Sequence, residues 1–94
     1  MSNMFNSSKK FNQDIGQWDT SSVISFAGMF TNTDEFNQDI GEWDTSSVVY
    51  MQNTFRFSKA FNQDLSNWNV SKVTSHSDFS TSSILQASFL PNFP

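Results

Sequence analysis

The sequence predicts a repeat solenoid of the α/β kind, in which short parallel strands alternate with short helical turns. Three observations lead there. FNQDIGQWDTSSV begins at Phe11, FNQDIGEWDTSSV at Phe36 and FNQDLSNWNVSKV at Phe61, a period of 25 residues, and periods of this size mark solenoids and related arrays. The opening block FNQDI puts apolar residues at its first and fifth positions, one face of a strand. Further on, V-x-x-F/M-x-x-x-F spaces its apolar residues by three and four, the helical interval.

Counting each copy from its leading Phe, the apolar positions are 1, 5, 8, 13, 16 and 20. The strands are Phe11–Ile15, Phe36–Ile40 and Phe61–Leu65. Strict alternation also points Gln13, Gln38 and Gln63 inward, so either a satisfied amide ladder forms or a bulge turns them out. A corner follows at Trp18, Trp43 and Trp68. Asp19-Thr20-Ser21-Ser22 and Asp44-Thr45-Ser46-Ser47 supply N-cap material. The helical turns then carry Val23, Phe26 and Phe30 in the first copy and Val48, Met51 and Phe55 in the second. Position 23 is small or polar, as Thr33, Ser58 and Ser83.

One such coil cannot bury its own apolar side. Stacking lays Phe11, Phe36 and Phe61 over one another, and likewise the three tryptophans, because parallel strands sit about 4.7–4.9 Å apart. Stability is then a sum of nearest-neighbour terms. The chain reads as one domain: a partial repeat at 1–10, repeats at 11–35 and 36–60, a degenerate repeat at 61–80 and a C-terminal cap at 81–94. Met1, Met4 and Phe5 fall in register with Met51, Thr54 and Phe55, so the sequence enters mid-repeat with an open first coil. That suggests a fragment of a longer array, a truncated gene, or head-to-tail association with a second copy, a contact that propagates as a filament when it does not close. In SILQASFLPNFP, five apolar side chains from Ile84 to Phe93 can cover the last coil, and Pro91 and Pro94 stop further pairing.

Composition narrows the function. With 94 residues the core is thin, and eleven Phe and three Trp must supply most of the burial, each ring removing about 150–250 Å² from water. The net charge is −4 and Lys9-Lys10 is the only cationic pair, which disfavours nucleic acid and anionic membrane surfaces. There is no cysteine, hence no disulfide and no thiolate metal site. No apolar run approaches the roughly 20 residues of a membrane span, and MSNMFNSSKKF lacks the basic-then-apolar order of a signal peptide.

The sharpest polar feature is the row Asp14, Asp39 and Asp64, flanked by Asn12, Asn37 and Asn62. Carboxylates side by side repel, and a hard cation such as calcium would relieve that; neighbouring amides and N–H groups do so without an ion. His76, the one histidine, stands where other copies have Phe26 and Met51, with no partner in register for acid–base work. The serines sit in turns with no base beside them. Thr20 and Thr45 begin a threonine row that Val70 ends. The tryptophan row reads as core rather than as a carbohydrate platform, since losing three indoles leaves too little burial. No catalytic residue, cofactor or resident metal is expected.

The run FNQDIGxWDTSSV…MF…FNQDI resembles the repeat of mycoplasma-type surface lipoproteins and of BspA-like leucine-rich-repeat proteins, and the likeness spans nearly the whole chain. It departs at Phe26, His76 and Thr54, where the family favours Met, and at Thr33 and Ser58, where Ala is common. The resemblance implies a leucine-rich-repeat-like solenoid on a cell-surface or secreted protein, engaged in adhesion or partner binding, with no catalytic residues. The expected function is a non-enzymatic, surface-exposed repeat module for protein-partner binding, adhesion or structural self-association. Its rows of Asn, Gln, Asp and Thr would meet a polar or cationic partner surface. The alternative is a calcium-stabilised binding module built on the Asp14, Asp39 and Asp64 row.

Overall fold

A computed structural model describes residues 1–94. Phe11–Ile15, Phe36–Ile40 and Phe61–Leu65 are not strands, and no helix follows them. The only regular pieces are a 3₁₀ turn at Ala87–Phe89 and isolated parallel bridges joining Ser25, Tyr50 and Ser75. The leucine-rich-repeat-like α/β solenoid is therefore overturned. The chain is instead a succession of tight turns packed into a body of 30 × 25 × 21 Å.

The physical reason lies in where the hydrogen bonds go. All 37 backbone–backbone bonds lie outside strands and α-helices. In the block expected to be helical, alternate N–H groups point sideways. Phe26, Gly28, Phe30 and Asn32 donate to the carbonyls of Tyr50, Gln52, Thr54 and Arg56 at 2.8–3.0 Å. Met51, Asn53, Phe55 and Phe57 donate in the same way to Ser75, Ser77, Phe79 and Thr81. The N-terminal segment begins the series, with Asn3, Phe5 and Ser7 donating to Ala27, Met29 and Thr31. The intervening groups close turns locally, as Met29 N–H does on Phe26 O. A helix needs every N–H directed four residues back, and these groups are engaged elsewhere.

Left-handed residues fix that turn path. Asn3, Gly28, Asn53 and Asp78 have φ of 57, 63, 60 and 56°. Ser7, Asn32, Phe57 and Ser82 have φ of 63, 60, 58 and 59°. Gly, Asn and Asp enter this region at least cost, and each one ends the helical run that the apolar spacing suggests.

The FNQDI block fails as a strand for a related reason. Asn37 N–H is taken by the side chain of Asn12, Oδ1 at 2.9 Å, and Asn62 N–H by Asn37 Oδ1 at 2.9 Å. Gln38 Nε2 donates to Asn12 O and Oδ1, and Gln63 Nε2 to Asn37 O and Oδ1. Side-chain amides thus stand where a backbone ladder was expected. They form on the exposed side, so Gln38 and Gln63 belong to an amide ladder that faces outward.

Behind this face the rings stack in two columns. Phe11, Phe36 and Phe61 succeed one another at 5.5 and 5.7 Å between centroids. Phe5, Phe30 and Phe55 do so at 5.7 and 5.3 Å. The columns interleave, with Phe30 against Phe36 and Phe55 against Phe61 at 4.3 Å. Trp43 and Trp68 are buried, lie parallel at 6.3 Å and donate Nε1–H to Ile15 O and Ile40 O. Trp18 departs from the expected row. It is 39% exposed and tilts against Phe5. At the far end Gln86 N–H takes the next amide rung, on Asn62 Oδ1, and Phe93 stacks on His76 at 4.2 Å.

Candidate functional site

The left-handed turns place the side chains of three successive segments around one polar cleft of about 310 Å³. Asn3 and Asn6 come from the N-terminal segment, Gly28 and Thr31 from the first repeat, and Gln52, Asn53 and Arg56 from the second. Gly28 has φ of +63°, as its counterparts Asn53 and Asp78 do at 60 and 56°, and a Cβ there would run into the Oδ1 end of the Asn3 side chain. Asn6 Nδ2 donates to that same oxygen at 3.3 Å, and the Thr31 hydroxyl donates to Asn53 O. One wall is thus internally bonded.

The opposite wall is not. Gln52 Oε1 and Arg56 Nε are buried and have no hydrogen-bond partner. The one ion pair of the protein joins Lys59 to Asp34 at 3.7 Å, so the Arg56 guanidinium faces no carboxylate. It lies over the ring of Phe57, 4.8 Å from the centroid, in a cation–π contact. Phe57 is 42% exposed and holds φ of +58°. A bulky residue in the left-handed region is a genuine outlier and costs on the order of 1–3 kcal/mol.

Sequence reasoning missed this site because it followed what recurs. The signal is in what does not. At turn positions that are exposed or half-buried the second repeat has Tyr50, Gln52, Arg56 and Phe57. The first repeat has Ser25, Ala27, Thr31 and Asn32 there, and the third has Ser75, Ser77, Thr81 and Ser82. Large and hydrogen-bonding side chains are concentrated on one turn face of the middle copy.

The residues singled out from the sequence are exposed, apart from the half-buried Asn62, and occupied. Asp14 Oδ1 accepts the Gly16 N–H, Asp39 Oδ1 the Gly41 N–H and Asp64 Oδ1 the Ser66 N–H, at 2.9–3.0 Å. Each carboxylate therefore closes its own turn. Asn12, Asn37 and Asn62 are the acceptors of the amide ladder. No three acidic or imidazole groups converge on a common point. His76 is half-buried against Phe93, with no carboxylate bonded to it.

Hydroxyls shape the acidity of the turns. Asp19 and Asp44 are held below the ordinary carboxylate range by the hydroxyls of Ser21 and Ser46, and then by the N–H groups of the same serines. The Ser21 and Ser46 hydroxyls donate at 2.6 Å. Ser66 lowers Asp64 through its hydroxyl and its N–H.

Comparison with known families gives a match over residues 1–90 to the family described as Mycoplasma protein of unknown function, DUF285. The chain belongs to this family. The DUF285 match covers the N-terminal segment, all three repeats and most of the C-terminal segment, so the cleft lies wholly inside it. No curated protein and no solved structure matches the chain. The chain has no helix long and apolar enough to cross a membrane.

Proposed function

We propose that this DUF285 chain is a non-enzymatic binding module, displayed at a cell surface, whose partner docks on the turn face centred on Arg56 and Phe57. The observation that carries the reading is the asymmetry among the repeats. A purely structural array has no need of an unpaired guanidinium beside a strained, exposed phenylalanine where its neighbouring copies use Thr, Asn and Ser. The equivalent turns hold Ser7, Asn32 and Ser82 left-handed as well, so what sets the second repeat apart is a bulky, exposed Phe placed there at a cost, and strained residues of this kind cluster at binding and switch sites. The likeness to BspA-like surface proteins supports the placement and the role in adhesion. The lone histidine stacked on a ring, and serines spent in turns, support a module that binds rather than transforms.

The test exchanges residues the fold already accepts elsewhere. Tyr50→Ser, Arg56→Thr and Phe57→Asn together give the second repeat the residues the first has at these turn positions. Wild type and this variant are applied to arrayed saccharides and peptides. The reading expects array features bound by wild type and at least tenfold less by the variant, with both chains folded. Equal binding by both, or no binding by wild type, overturns it.

A further inference from the structure

We infer that the cleft takes a carboxylate-bearing sugar, a uronate, one residue of which fills it; this rests on the docking face proposed above. Among the nine lining residues Arg56 is the only charged one, and none is acidic. It is also the only arginine in the chain. A guanidinium presents a planar fork of N–H donors suited to a carboxylate held by two parallel bonds. Its buried Nε has no protein acceptor. A single cation balances a monoanion; a phosphate monoester, carrying more charge, calls for a second cation that the lining lacks.

The second unpartnered atom specifies the rest of the ligand. Gln52 Oε1 accepts and cannot donate; it is closed to solvent, so a ligand engages it as the side chain turns toward the cleft, and that ligand must bring a hydrogen-bond donor. The ligand therefore carries an anionic acceptor and a donor on one small framework. A hydroxylated carboxylate does this, and the amides of Asn3, Asn6 and Asn53 around it can each donate and accept toward further hydroxyls. The exposed ring of Phe57 at the same cleft offers an apolar face to sugar C–H groups. The volume, about 310 Å³, lies at the small end of ligand clefts, which suits one sugar ring rather than an extended chain.

The test is an NMR titration of the ¹⁵N-labelled chain with D-glucuronate, D-glucose, acetate and inorganic phosphate. Glucuronate should shift the Gln52 and Asn53 amides and the Arg56 Nε resonance. Glucose, lacking the carboxylate, and acetate, lacking the hydroxyls, should each bind at least tenfold more weakly, as should phosphate. Arg56→Lys keeps the charge and loses the fork, and should weaken glucuronate at least tenfold; Gln52→Met should weaken it while leaving acetate unchanged. No shift with glucuronate, acetate or phosphate binding as tightly, or an Arg56→Lys variant with unaltered affinity overturns the inference. The wild-type ligand comparison stands even where a variant fails to fold. A failed glucuronate titration beside a positive array result removes the uronate and keeps the docking face; loss of the array difference removes both.

Discussion

Thr45 is 1% exposed, and its hydroxyl donates to Asn69 O at 2.9 Å; Thr20 does the same to Asp44 O. These bonds cross from one repeat to the next. At the third repeat, beyond which lies the C-terminal segment, Val70 fills the position. Thr45→Val keeps the shape and loses this part-buried bond, which costs about 0.5–1.5 kcal/mol. Melting should fall by about 4–8 °C for each kcal/mol lost; an unchanged Tm would contradict the role. The turn aspartates make a second prediction. Asp19 and Asp44 are more acidic folded than unfolded because serine hydroxyls and N–H groups bind the ionised form. Their stabilisation is complete above the unfolded aspartate value of about 3.9 and is lost as pH falls through the folded value. Tm should therefore be level down to about pH 5 and decline below. Asn69 already closes the same turn on Ser71 N–H without a charge, so Asp19→Asn with Asp44→Asn should fold and show a shallower acid decline. An identical decline would contradict the assignment. The capping chemistry of these positions was legible in the sequence, because an Asx side chain bonds the N–H two residues on in any frame. The helix it was expected to cap was not there.

At the scale of the element, FNQDI and V-x-x-F-x-x-x-F were read by apolar spacing, and spacing alone was insufficient. The apolar positions do face inward: Phe36, Ile40, Val48, Met51 and Phe55 are fully buried. What spacing did not reveal was the competition for backbone groups. Asn12 and Asn37 at position 2 and Gln38 and Gln63 at position 3 tie one repeat to the next, and Asn, Gly or Asp at position 18 turns the chain left-handed. Asn37→Ala removes the acceptor of Asn62 N–H and one of the two acceptors of Gln63 Nε2, which keeps Asn37 O. On this exposed face water replaces part of the loss, so the cost should be about 0.5–1.5 kcal/mol, read as a lowered Tm. Gly41 is the sharper case. A Cβ there would stand 2.6 Å from Asp64 O in the next repeat, and at Gly16 it would stand 2.7 Å from Asp39 O. The third copy has Ser66 in this place, where no further repeat presses. Gly41→Ala should cost about 1–3 kcal/mol through forced backbone movement. Normal stability in that variant would mean the repeats are not so closely apposed.

For the molecule as a whole, the ring columns hold the turns together. Stacking of Phe11, Phe36 and Phe61 follows from their common spacing, and the second column through Phe30 and Phe55 follows from the same period. The tryptophan row was legible only in part. Trp43 and Trp68 each find a carbonyl one repeat back, whereas Trp18 is half-exposed against Phe5. The cleft was least legible, since it is built from residues that break the repeat. The central claim is that neighbouring copies are joined sideways, backbone to backbone and amide to backbone, with no strands or helices between. Scalar couplings measured through hydrogen bonds, from amide ¹⁵N to carbonyl ¹³C, test it directly. Couplings should link the Phe26, Gly28 and Phe30 amides to the Tyr50, Gln52 and Thr54 carbonyls, and Asn62 N to the side-chain carbonyl of Asn37. Couplings from those amides to carbonyls four residues back, or a backbone ladder joining Phe36–Ile40 to Phe61–Leu65, would contradict it.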